Sequence, residues 1–120
     1  MPSRETVERF IAMVEANEHV RAIEEFYAED ASMQENLAPP RVGKAVLIAH
    51  ETAALARVAS VHTHEVKTFL VDGDHVAIHW IFDFTLPDGS TRRFDEMALQ
   101  TWRGEKIVTE RFFYDPATVR

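Results

Sequence analysis

The sequence predicts an α+β domain, with helices packed on one face of an antiparallel sheet. Three observations carry that expectation. Apolar residues in the first half recur with a helical period, those in the second half alternate, and short glycine-containing turns separate the alternating runs. A length of 120 residues suits a single domain over residues 1–120, with no room for a second core.

Ser3 is placed to cap a first helix and Glu5 favours its first turn, while Val7, Phe10, Ile11 and Val14 form one stripe. Asn17 marks a break. Val20, Ile23, Phe26 and Tyr27 suggest a short second helix. A third starts after Gly43, with Leu47, Ile48, Ala54, Leu55 and Val58 on one face. Between these two, residues 31–36 are too short and mixed for a helix, and Leu37-Ala38-Pro39-Pro40 reads as a loop. Residues 61–71 read as one strand, closed by a turn at Asp72-Gly73-Asp74. Val76, Ile78, Trp80, Phe82 and Phe84 alternate with polar or smaller residues, the clearest strand in the chain. Pro87-Asp88-Gly89 and Arg103-Gly104-Glu105 are turns on either side of a strand over residues 91–102, and residues 107–114 form the last strand.

Charge and composition remove several function classes. Thirteen basic against twenty acidic side chains give a net charge of −7, which argues against nucleic acid or an anionic membrane as partner. Without cysteine there is no disulfide, thiolate nucleophile or cysteine-ligated metal. No apolar run approaches the roughly 18 residues of a membrane span. Met1-Pro2-Ser3-Arg4-Glu5 lacks a signal peptide's apolar stretch, so the expected compartment is the cytoplasm. The glycines are isolated, so no phosphate-cradling loop is expected, and no serine sits in a nucleophile elbow.

The run Tyr27-Ala28-Glu29-Asp30-Ala31-Ser32-Met33-Gln34-Glu35-Asn36, followed by Pro39-Pro40 and Gly43, resembles the NTF2-like superfamily, in the branch of ketosteroid isomerases and SnoaL-like polyketide cyclases. Residues 104–115, from Gly104 to Asp115, resemble that family's last hairpin. The resemblance implies a cone, in which a curved, mostly antiparallel sheet wraps three N-terminal helices around a cavity for a small apolar molecule. It also implies a homodimer and cofactor-independent chemistry: isomerase, cyclase, dehydratase or hydrolase, or ligand binding alone.

Carried over residue by residue, the family's isomerase base falls on Glu35, where an apolar cavity would raise the carboxyl pKa toward the working pH. The isomerase's donor tyrosine falls on Phe10 and its protonated aspartate on Ala98. Both oxyanion donors are therefore missing, which argues against steroid isomerisation. The same register turns Glu96, Ala98, Gln100 and Trp102 inward on one strand, Val108, Glu110, Phe112 and Tyr114 on the next, and Trp80 and Phe82 on a third. The candidate acid–base groups are Glu35 and Glu110. The candidate ligand contacts are Phe10, Trp80, Phe82, Ala98, Gln100, Trp102, Phe112 and Tyr114. Plainer structural roles compete: Glu35 as a loop cap, Glu110 paired with Arg92 or Arg111, Tyr114 packed at a rim, and both tryptophans in the core.

Pairing across the turn at Gly73-Asp74 sets His64 opposite Asp83 and puts His62, His64 and Asp83 on one face outside the cavity. A slip of one residue turns the histidines inward without Asp83. No metal is assigned, because polar residues alternating on a strand are ordinarily solvated. Ile81, Met97, Leu99 and Phe113 lie on the outward parity with His79, the reason to expect a homodimer through the sheet. The functional expectation is a pocket protein using a carboxyl as general acid or base. A non-catalytic binding or association module is the alternative.

Overall fold

The computed structural model describes residues 1–119. The Ser3 hydroxyl accepts from the Thr6 N–H at 3.1 Å and starts α1, Arg4–Glu15, which buries Thr6, Val7, Phe10, Ile11 and Val14. Asn17, in the left-handed region at φ 62°, ends that helix and redirects the chain into α2, His19–Phe26. β1, Tyr27–Glu35, follows without a loop, and β2, Arg41–Val42, folds back on it. Gly43, at φ 102°, leads into α3, Lys44–Ala56, whose Leu47 is fully buried. β3, Ser60–Thr63, and β4, Phe69–Asp72, precede the long strands β5, His75–Thr85, β6, Thr91–Arg103, and β7, Lys106–Phe113. A short 3-10 turn, Pro116–Val119, ends the described chain.

The seven strands form one sheet in the order β2-β1-β7-β6-β5-β3, with β4 also on β5. β1 runs parallel to β7 and the other pairings are antiparallel. The helices cover one face. Phe10 sits at the centre of that packing, its ring edge-on to Phe26, Tyr27, Trp80 and Trp102 at centroid distances of 5.5 to 6.3 Å. Val76, Ile78 and Trp80 are buried beneath the helices, as alternation along β5 predicts. Three N-terminal helices on a mostly antiparallel sheet are the architecture the sequence predicts.

Four local expectations need correction. Tyr27 belongs to β1 and not to the second helix. The strand expected over residues 61–71 is two strands, β3 and β4, which pair with opposite halves of β5. The bend between them is held by α1, because the Glu15 carboxylate accepts from the Val66 N–H at 2.7 Å. Pairing then sets His62, not His64, opposite Asp83. A bulge where Thr101 gives way to Trp102 shifts β7, so Ile107 is the fully buried residue there and Val108 only half-buried.

Candidate functional site

Between the helices and the sheet lies a cavity of about 200 Å³. β5 supplies Trp80, Phe82 and Phe84 at alternate positions, and β6 supplies Phe94 and Glu96 by the same alternation. Trp80 stacks on Phe82 at 5.5 Å, and the row continues through Phe84 to Phe94 at 6.2 and 5.2 Å. β7 adds Glu110 and Phe112, β1 adds Tyr27, Met33 and Glu35, and α1 adds Phe10. α2 contributes His19 and α3 contributes His50 and Glu51. The wall is therefore mostly apolar, rich in aromatic rings and studded with carboxyls.

Glu110 is 2% exposed and held on two sides. The Tyr27 hydroxyl donates to Oε1, and Gln100 Nε2 donates to Oε2 at 2.6 Å. Gln100 is directly opposite Glu110 in the ladder, and its Oε1 accepts from Trp102 Nε1 at 2.9 Å. This relay satisfies a buried amide, an indole and a carboxyl together. Burial pushes the Glu110 carboxyl up to about 7, against the lowering effect of its two donors. Glu96, 7% exposed, has no such donors. Burial first, then the charges of Glu110, Glu35 and Glu51, push it up to about 8. Glu51 is also raised, by burial and by Glu35. Burial lowers His19, whose Nε2 is buried without a hydrogen-bond partner, and His50 is lowered by burial and by Arg41.

Of the residues singled out in the sequence, Phe10, Glu35, Trp80, Phe82, Glu110 and Phe112 line the cavity. Ala98, Gln100 and Trp102 face the same side but are buried behind the wall. Tyr114 also stands outside the lining, against Phe94 at 5.3 Å, and its phenol is pushed up to about 12 by burial and by the charges of Glu35 and Glu96. Glu35 is 35% exposed and pairs with Arg41 at 3.2 Å, so it does not stand alone in an apolar hollow. The expected pairing of Glu110 with Arg92 or Arg111 does not occur. Glu110 points inward, whereas Arg111 donates to the Asn36 carbonyl and covers the Phe113 ring.

Glu96, Glu51, His19 and His50 were not chosen from sequence. Glu96 was already on the inward parity, four positions before Gln100. Glu51 lies in register with Leu47, Ala54 and Leu55, and His19 in register with Ile23 and Phe26. A polar residue interrupting an apolar helical stripe was the signal that exposes both.

The histidine–aspartate group lies outside the cavity. His64 Nε2 is 2.6 Å from Asp83 Oδ2, and the Arg93 fork donates to both Asp83 oxygens at 2.7 and 2.9 Å. Those bonds, Arg93 first, hold the Asp83 carboxyl far below its usual range. Among the described residues no three His, Asp or Glu side chains are arranged to hold a metal ion. No helix among them is long and apolar enough to cross a membrane.

Residues 7–110 match the model of the SnoaL-like domain. A candidate SnoaL-like polyketide cyclase from Mesorhizobium loti superposes with a TM-score of 0.79 at 25% identity, covering 95% of this chain and 100% of that one. A candidate polyketide cyclase from Pseudomonas putida gives 0.79 at 17% identity, covering 98% and 95%. A protein of ketosteroid isomerase-like fold from Catenulispora acidiphila gives 0.80 at 18% identity, covering 98% and 90%. Among proteins of curated function, none matches. The match over 7–110, together with three helices enclosing an acidic aromatic cavity against a mixed sheet, identifies the chain as a member of the SnoaL-like domain family, with an NTF2-like fold.

Proposed function

We propose that this protein binds a small, mostly apolar molecule and acts on it by general acid–base catalysis from the cavity carboxyls. The observation that carries the reading is Glu96, buried, free of donors and facing the hollow with Glu110 on the neighbouring strand. Two carboxyls in one poorly solvated site resist ionising together, so near neutral pH one is an acid and the other a base. Glu96, pushed up to about 8, supplies the proton. Glu110, oriented by Tyr27 and Gln100 and pushed up to about 7, takes one. Glu35, paired with Arg41 at the cavity's edge, positions substrate and is the second candidate base. The cavity is smaller than drug-sized sites, which start at about 300 Å³, so the substrate is small. The chemistry this pair serves is isomerisation, dehydration, hydrolysis or aldol-type cyclisation.

The test is a panel of small carbonyl, epoxide and hydroxy compounds, followed by mass spectrometry. Glu96→Gln and Glu110→Gln should each lower turnover about a hundredfold or more. Full turnover in both variants refutes the assignment. A second reading, binding without catalysis, is favoured by Phe10 and Ala98, apolar residues where the related isomerases carry oxyanion donors. It predicts thermal stabilisation by apolar ligands that are recovered chemically unchanged.

A homodimer through the outer sheet face belongs to the same proposal. Met97, Leu99 and Phe113 are 41%, 47% and 40% exposed. The ladder sets Met97 beside Phe113, with Leu99 two residues along the same strand face.

A further inference from the structure

Glu35, Glu51, Glu96 and Glu110 all face a cavity whose lining contains no lysine or arginine. Arg41 pairs with Glu35, and no ion pair reaches the other three among the described residues. The basic groups on the wall are His19 and His50, and burial favours the neutral form of both. Glu96 is the decisive side chain: more than nine-tenths buried, without a hydrogen-bond donor, and turned into the hollow. Around it the wall is aromatic, with Trp80, Phe82, Phe84 and Phe94 in continuous contact.

We infer that the cavity takes a small organic cation, an ammonium group carrying apolar substituents, held between the aromatic rings and the Glu96 carboxylate. The inference rests on reading the cavity as a small-molecule site and specifies the ligand's charge; with such a cation bound, Glu96 is its counter-ion rather than the proton donor, and Glu110 remains the base. An anion would meet four carboxyls with no fixed cation on the wall. A neutral apolar molecule would fill the space and leave the carboxyls without a counter-charge. A small inorganic cation needs a shell of oxygen ligands, and among the described residues no three carboxyls or imidazoles converge to give one. A substituted ammonium is weakly hydrated, and ring faces attract it.

Cation binding also moves a proton. At neutral pH the empty cavity holds Glu96 largely protonated. An arriving cation favours the carboxylate, so the Glu96 proton leaves for bulk water as the ion pair forms. The groups that share this field are Tyr27 and Glu35 of β1, Glu110 of β7, Glu51 and His50 of α3, and His19 of α2, with Arg41 and Tyr114 beyond the wall. Among them Glu96 is the carboxyl with the most to release, because Tyr27 and Gln100 already stabilise the ionised form of Glu110.

Calorimetry with choline and its neutral carbon isostere, a dimethylbutanol, separates charge from shape. At about pH 8 choline should bind about tenfold more tightly than the isostere or better. Near pH 7 its binding should release up to one proton, read from buffers of different ionisation enthalpy. Its affinity should rise up to about tenfold per pH unit below the Glu96 pKa and level off above it. In Glu96→Gln, checked for folding by circular dichroism, proton release and pH slope should drop to the smaller share that Glu110 contributes, while isostere binding persists. If that variant does not fold, Glu51→Gln should weaken choline several-fold and leave the isostere unchanged. Choline binding no tighter than the isostere overturns the inference and leaves the small-molecule site standing. Binding of neither overturns the inference and counts against the site as well.

Discussion

Glu96 shows how a single side chain is changed by where its backbone places it. In an unfolded chain its carboxyl ionises near the ordinary glutamate value, whereas burial and three neighbouring acids push it up to about 8. The folded state therefore binds the proton more tightly. The stability this contributes is fully present below the unfolded pKa and is lost as pH rises through the folded one. The stability of the wild-type protein to thermal unfolding should fall from about pH 5 to pH 8, by up to about 1.4 kcal/mol per pH unit from this group. Glu96→Gln should flatten that decline, and parallel melting curves across the range would contradict it. Tyr27 is the complementary case. Removing its hydroxyl, as in Tyr27→Phe, withdraws a donor from buried Glu110. Denaturant unfolding should show a loss of about 1–3 kcal/mol. Residue facing was legible in the sequence wherever a strand runs straight: Trp80, Phe82, Glu96 and Gln100 all follow from alternation. It failed at Val108, because the bulge where Thr101 meets Trp102 leaves no mark in the local pattern.

Among the elements, the helices are packing devices before they are anything else. α3 is anchored by Leu47, 1% exposed, and one turn further on carries the adjacent His50 and Glu51 to the cavity. Leu47→Ala should cost about 2–5 kcal/mol in chemical denaturation. It should also weaken ligand binding, since the helix that closes one wall is loosened. An unchanged midpoint would show that α3 is held by other contacts. The three helices could be read from capping and period because those signals are local. The break between β3 and β4 could not, because it depends on Glu15 reaching Val66 across 51 positions of chain. Asp83 is another long-range outcome. Its partners are His64, one residue past the end of β3, and Arg93 of β6, although the ladder sets His62 opposite it.

For the molecule as a whole, the sheet divides the chain's chemistry in two. The face under the helices encloses aromatic rings and acids, whereas the opposite face presents Met97, Leu99 and Phe113 among polar contacts such as the hydrogen bond between His79 and Asp95. A second copy covering that apolar surface should make the protein a dimer in sedimentation, and Leu99→Asp should shift it toward monomer without changing its circular dichroism. A wild-type monomer at high concentration would remove the dimer from the account. The family motif from Tyr27 to Asn36 made the overall plan readable, since it fixes the step from α2 into β1 and the return through Gly43. The identity of the working carboxyls was less readable. It depends on how much water and how many donors each one meets, and only packing settles that.

Acid–base chemistry in the cavity depends on two of its glutamates being reluctant to ionise. Carbon-detected NMR of glutamate side-chain carboxyls, followed through a pH titration, measures this directly. Two resonances should titrate near about pH 7 and pH 8, and each should vanish in turn in Glu110→Gln and Glu96→Gln. Titration of every glutamate near the ordinary value of about 4.3 would contradict it.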